Sequence, residues 1–268
     1  MYRAWFGLAR RPFDKTPDPQ AMLYTEGHTE ALARLEQAAD ERDIAVIVGG
    51  IGCGKTTLIR ALLDRLPTSV IPVVLVHPTL APQQLLRQIA RALAVDPLPS
   101  QAADLIDAIH QQLFELHQQG KLPYLIVDEA HLLRCPEGFE QLRLLTNFQL
   151  DDLSLMALAL VGQPELRDRL ARPELAAFRQ RIGYFYELPG LDAHAVGAYV
   201  LARWGYAGGQ AEQIAAEVPA LLHAVTGGIP RKINQIMHNA CLQAFARDSA
   251  RVEADDVQAA ARELMVVP

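Results

Sequence analysis

Lys55 and Thr56 are the residues whose type and spacing point most directly to chemistry. They stand in the stretch Val46-Ile47-Val48-Gly49-Gly50-Ile51-Gly52-Cys53-Gly54-Lys55-Thr56-Thr57, where Gly49, Gly54, Lys55 and Thr56 fit the pattern G-x-x-x-x-G-K-[ST]. That chemistry is phosphate binding. Glycines let the backbone turn so that successive N–H groups point at phosphate oxygens. A helix starting there adds its positive end. The Lys55 ammonium reaches the β- and γ-phosphates, and the Thr56 hydroxyl can ligand Mg²⁺. A strand-to-helix turn can also need glycine only for packing. The Lys-Thr pair at the required distance, after an apolar strand at 44–48, favours the binding reading for the whole loop from Gly49 to Thr57.

A second candidate lies at Tyr124-Leu125-Ile126-Val127-Asp128-Glu129-Ala130-His131. An apolar strand ending in Asp-Glu is a Walker B pattern. Asp128 would hold Mg²⁺ and Glu129 would polarise an attacking water, which favours hydrolysis over storage of the nucleotide. Alone, an Asp-Glu pair at a strand end is a solvated turn, and the loop upstream gives it meaning. Gln163 follows the next strand. Ligand sites lie beyond the carboxyl ends of parallel strands, so Lys55, Asp128-Glu129 and Gln163 are expected in one crevice. Residue type alone leaves Gln163 open between contact with the water or γ-phosphate and a bond to its own turn before Pro164. Arg179 and Arg181 read either as surface cations at a helix end or as an arginine finger for a neighbouring subunit. Arg231, in Gly227-Gly228-Ile229-Pro230-Arg231, could reach back over a nucleotide. Tyr24 is a candidate wall for the base, and equally one of the aromatics that staple the N-terminal segment down.

The elements that must position these residues alternate. Helical spacing covers 28–43, then strands are expected at 44–48, 70–76, 124–127, 155–161 and 184–188. Helices are expected between them at 56–66, 83–95, 102–119 and 137–150, with two short ones at 165–170 and 174–178. Pro72 points to an early or edge position for the second strand. After Pro189-Gly190 the pattern turns all-helical: 192–205, 210–225, 230–247 and 253–264. The expected fold class is α/β, a parallel sheet sandwiched by helices, followed by an all-helical lid. Expected domains are a core at 1–190, with an ordered arm at 1–27, and a lid at 191–268.

Composition narrows the partners. Half of the 268 residues are hydrophobic and only 6% aromatic, so aliphatic packing must dominate. The net charge of −6 is spread evenly along the chain. It argues against coating nucleic acid by bulk electrostatics, though not against a local basic patch. Three scattered cysteines contain no C-x-x-C pair, so a zinc site is not expected. No apolar run has the length of a membrane span and the first residues do not form a signal peptide, so a cytoplasmic location is the expectation.

The order of these motifs, with arginines before the fifth strand and Gly-x-Pro-Arg in the helical tail, resembles an AAA+ ATPase. Phe6-Gly7-Leu8, Pro12-Phe13, Pro17-Asp18-Pro19, Gly162-Gln163-Pro164-Glu165-Leu166, Arg179-Gln180-Arg181-Ile182 and Gly228-Ile229-Pro230-Arg231-Lys232-Ile233-Asn234 resemble the ExeA (general secretion pathway protein A) family more narrowly. The resemblance implies ATP and Mg²⁺ as cofactors, Lys55 and Thr56 on phosphate and metal, and Asp128 and Glu129 as Walker B. It further implies Gln163 as sensor 1, Arg231 as sensor 2, Arg181 or Arg179 as the finger, and assembly into a homo-oligomeric ring or filament. Secretion members of that family are longer, with a transmembrane helix and a peptidoglycan-binding domain. Neither is present in these 268 residues, and the short form is similar to transposition ATPases of the TniB, TnsC and MuB type. That implies a helper that assembles on duplex DNA and recruits or activates a transposase or targeting protein, with Lys121, Arg87 and Arg91 as candidate DNA contacts. The alternative is an ATPase for secretion or envelope assembly acting on proteins.

Overall fold

The computed structural model describes residues 1–14, 25–76, 78–150 and 153–265. Its contacts form two compact units, one from within 28–49 and 54–188, the other from within 1–27, 50–53 and 189–268. The chain opens with a single helical turn, α1 (Tyr2–Trp5), and enters the larger unit through α2 (Glu26–Glu41).

The larger unit then alternates: β1 (Ile44–Gly49), α3 (Lys55–Arg65), β2 (Val70–Leu75), α4 (Pro82–Ala92), α5 (Ala102–Gln118), β3 (Leu122–Val127) and α6 (Glu137–Thr146). A short hairpin, β4 (Gln149–Leu150) and β5 (Leu153–Ser154), precedes β6 (Ala157–Gly162), α7 (Glu165–Leu170), α8 (Ala176–Arg179) and β7 (Ile182–Leu188). Five strands form one sheet in the order β2-β3-β6-β1-β7, and every pairing is parallel. β1 and β6 are buried at every residue, as strands covered on both faces must be. One face packs Val46, Val48, Leu125 and Val127 against Leu86, Ile89, Ile109 and Leu142 of the helices. On β3, Tyr124 is fully buried and its hydroxyl donates to Leu35 O of α2 at 2.9 Å. Pro72 lies on β2, an edge strand, where a missing N–H costs no ladder bond.

One helix is shorter than its apolar pattern predicts. The expected helix at 137–150 ends at Thr146, with Asn147 as its cap, and the chain turns back as β4–β5. Leu155 N donates to Phe148 O at 3.1 Å, so the segment after Asn147 serves a hairpin instead of a fourth helical turn.

The smaller unit contains α9 (Ala193–Tyr206), α10 (Val218–Thr226), α11 (Pro230–Ala246) and α12 (Ala254–Met265). The expected helix at 210–225 is broken. Residues Ala211–Gln213 form a 3₁₀ turn, Ile214 bridges Val252, and Pro219 sits in the first turn of α10, where proline is tolerated. Tyr2, Phe6, Leu8 and Phe13 are buried in this unit's core, Phe6 edge-on to Trp204 and Phe13 stacked on it. Arg203, buried, donates from Nε to Pro12 O at 2.7 Å. The opening segment, grouped on sequence with the core domain, thus packs with the C-terminal helices, because aromatic surface there is matched by Trp204 and Tyr199. Among the described residues no helix is long and apolar enough to cross a membrane.

Candidate active site

Register builds the crevice. Val48 of β1 pairs with Gly162 of β6, so Gly49 and Gln163 leave the sheet side by side. Val127 of β3 pairs with Leu160, and Asp128 N continues the ladder to Leu75 O of β2 at 2.8 Å. The carboxyl ends of β1, β3 and β6 therefore deliver their following residues to one place, with β6 in the middle.

The turn after β1 enters α3 through Gly54 at φ +98°, a left-handed conformation that favours glycine. A Cβ at that position would also lie 2.9 Å from His28 Nε2. Lys55 is buried and its Nζ donates to Gly49 O at 2.8 Å, curling the side chain back over the loop. Thr56 Oγ1 donates to Asp128 Oδ2 at 3.3 Å. Asp128 Oδ1 accepts the N–H of Glu129 at 2.8 Å. Burial pushes the Asp128 carboxyl above the usual carboxylate range and the neighbouring Glu129 adds to this, while the Glu129 N–H, Thr56 and Lys55 oppose it. A hydroxyl and a carboxylate oxygen side by side are the hard donors that a small divalent cation takes, so the pair fits Mg²⁺.

Glu129 is held at φ +53°, unusual for a residue with a Cβ. Its Oε2 accepts Gln163 Nε2 at 3.3 Å and lies 3.5 Å from His131 Nε2. The amide of Gln163 thus faces a carboxylate across the crevice rather than its own turn. His131, on a 3₁₀ turn at Ala130–Leu132, had no role in the sequence reading. Its signal is only a position two residues beyond Glu129, and its second partner, Gln163, follows β6, distant along the chain.

Lys55, Thr56, Asp128, Glu129 and Gln163 are brought together; Arg179 and Arg181 are not with them. β7 runs parallel to β1 from Ile182 beside Ile44 to Leu188 beside Gly49. Arg181 therefore lies at the amino end of the sheet, about 16 Å along the strands from the loop. Its Nη2 donates to Thr146 O at 2.7 Å, beside a cavity of about 200 Å³ lined also by Arg42, Asp43 and Ser154. Burial, and then the nearby Arg143, pull its guanidinium below its ordinary value. Arg179 Nη1 donates to Leu170 O at 3.0 Å. In the smaller unit Arg231 N donates to Gly52 O at 3.3 Å, and a Cβ on Gly52, itself at φ +84°, would come within 2.5 Å of Arg231 Cβ. Cys53 is buried and forms no disulfide among the described residues. Tyr24 lies outside the described residues.

With this geometry in place, the comparisons agree with it. Residues 38–170 match the family model described as AAA domain, and the chain belongs to the AAA+ P-loop NTPases. Over 268 residues, 98% of this chain, it is 38% identical to General secretion pathway protein A of Aeromonas hydrophila; the match spans 48% of that relative, about half its length. The Aeropyrum pernix ORC1 protein in complex with DNA has the same fold, at a TM-score of 0.66 and 19% identity over 95% of this chain and 69% of that one. The Thermotoga maritima RuvB Holliday junction branch migration motor does too, at 0.59 and 18% over 95% and 74%.

Proposed function

We propose that the protein is a Mg²⁺-dependent ATPase that works as a homo-oligomer, a ring or a filament, switched between states by its nucleotide. The observation that carries the reading is the convergence of Lys55, Thr56, Asp128, Glu129 and Gln163 at the carboxyl ends of three adjacent parallel strands. The loop from Gly49 to Thr57 receives the phosphates and Lys55 neutralises them. Thr56 and Asp128 hold the metal, which when bound offsets charge on the phosphate oxygens. Glu129 polarises the attacking water. Gln163 acts as sensor 1 at the water or γ-phosphate, and Arg231 as sensor 2. Arg181 or Arg179 serves the γ-phosphate of a neighbouring subunit. The working division is a core within 1–190 and a lid at 191–268, with the described part of the arm packed among the lid helices. Purified protein should release phosphate from ATP with Mg²⁺, stop on chelation, and turn over faster per subunit as concentration rises. A protein that neither binds nor hydrolyses ATP would overturn the reading.

Two tasks are compatible with such an engine. One is secretion or envelope assembly through protein partners, and the name of the 38% identical relative supports it. The other is assembly on duplex DNA as a transposition helper that recruits or activates a transposase in the cytoplasm, the second task that the motif resemblance raises. Of its candidate DNA contacts, Lys121 donates to Thr68 O and Arg87 to Ser100 O. A net charge of −6 requires that only an assembly lining up such cations could hold DNA. Retention of duplex DNA across a salt series, with an ATP analogue, separates the two. Cooperative, salt-sensitive binding supports the DNA task; no retention at low salt leaves the protein-partner task.

A further inference from the structure

We infer that His131 is a positioning residue that aims the Glu129 carboxylate, an inference that rests on the ATPase reading. The imidazole is buried on the turn that follows β3 and has a polar neighbour on each side. Nδ1 accepts the backbone N–H of Gln163 at 3.4 Å. A nitrogen that accepts carries no proton, so in the neutral ring Nε2 carries it. Nε2 is the atom that faces Glu129 Oε2, at 3.5 Å. Gln163 Nε2 approaches the same oxygen from β6 at 3.3 Å. Gln163 therefore donates to Oε2 while the His131 ring faces the same oxygen. No bond to Oε1 is present among the described residues, and in the ATPase reading this is the oxygen that would take the attacking water. The ring also fixes Gln163 itself, through its backbone, so one imidazole sets the spacing between the water-polarising carboxylate and the residue across the crevice. The packing leaves no slack: a Cβ on Gly162 would lie 3.1 Å from His131 N and 3.0 Å from Leu166 Cδ2. Glu129, in its left-handed conformation, needs such outside support to stay in one orientation.

The experiment has two arms. In the first, ATP turnover and analogue binding are compared for wild type, His131→Ala and His131→Gln. Glutamine keeps one acceptor and one donor at similar reach. His131→Ala should lower kcat by about tenfold, the order expected for losing one polar contact to a charged group, while KM and analogue affinity stay within about twofold. His131→Gln should recover most of the loss. A kcat for His131→Ala equal to wild type overturns the inference, as does a loss that the glutamine variant shares in full. In the second arm the ring is read by ¹⁵N NMR in the nucleotide-free protein, which does not depend on turnover. The Nε2–H tautomer is expected, with a shift of the Nε2 signal on Glu129→Gln. An Nδ1–H tautomer, or a signal indifferent to Glu129→Gln, overturns the contact. Absence of turnover in wild type would remove the ATPase reading and with it the role in turnover, while the NMR arm still decides whether His131 holds Glu129.

Discussion

The two ends of the one parallel sheet bury charge in different ways. At the carboxyl end, side chains from three strands answer one another: Thr56 donates to Asp128, and Gln163 and His131 converge on Glu129. At the amino end, the arginines before β7 donate to backbone carbonyls, Arg181 to Thr146 and Arg179 to Leu170. Both ends hold a charge that burial disfavours, with the Asp128 carboxyl pushed up and the Arg181 guanidinium pulled down. Perturbed groups of this kind cluster at functional sites. The difference is completeness. The carboxyl end brings an ammonium, a hydroxyl-carboxylate pair, a second carboxylate and an amide together in one chain, the set that the proposed ATPase would use, whereas the amino end places Arg42 and Arg181 around a cavity that Asp43 also lines.

The largest effects should fall on the complete end. Lys55→Ala removes the only ammonium in the loop, so nucleotide binding and turnover should both be lost, read by analogue titration and phosphate release. Retained binding would break the view of this end as a phosphate site. Glu129→Gln should separate the two activities. The metal-binding pair stays, so analogue affinity should remain near wild type, while turnover falls by about a thousandfold with the loss of the carboxylate. Wild-type turnover would reassign Glu129.

The amino end should reveal itself only in mixtures. Arg181→Ala keeps its own loop, and Lys55→Ala keeps its own arginines. Each should be inactive alone, and their mixture should regain a fraction of wild-type turnover. Repeating the mixture with Arg179→Ala identifies which arginine acts. No recovery with either, at a rate independent of concentration, would leave both arginines as structural anchors of Thr146 and Leu170.

The smallest expected effect is on stability. Asp128 has a folded-state pKa above its unfolded value, so the native protein binds that proton more tightly than the unfolded chain does. As pH rises through the carboxylate range and past the folded pKa, the buried carboxylate costs stability, and the cost is complete once the folded pKa is passed. Asp128→Asn should therefore raise Tm at neutral pH by about 2 °C in protein free of nucleotide and metal, while abolishing turnover. A fall in Tm would mean that attraction to Lys55 outweighs burial, and that the carboxyl end is held together by charge rather than strained by it.

Much of this site is legible in the chain. Gly49, Gly54, Lys55 and Thr56 declare a phosphate loop because only glycine and those side chains satisfy that spacing. The strand pattern places Asp128 and Gln163 beyond strand ends because a period of two and a buried run leave little choice. Sequence fails where the outcome depends on neighbours distant along the chain. Apolar residues alternating with polar ones, as at Phe148, Leu150 and Leu153, fit a helix end or a hairpin alike, so the reversal after Asn147 is not legible in the sequence. The arm's aromatics carry no address, and burial against Trp204 comes only with α9 in place. Gln163 had two equal readings until the register of β6 against β3 set it opposite Glu129. His131 was one histidine among eight until that register gave it a partner on each nitrogen. Local spacing determined which groups this protein carries. Strand order and register, which arise from burying both faces of the sheet, decided which of those groups meet.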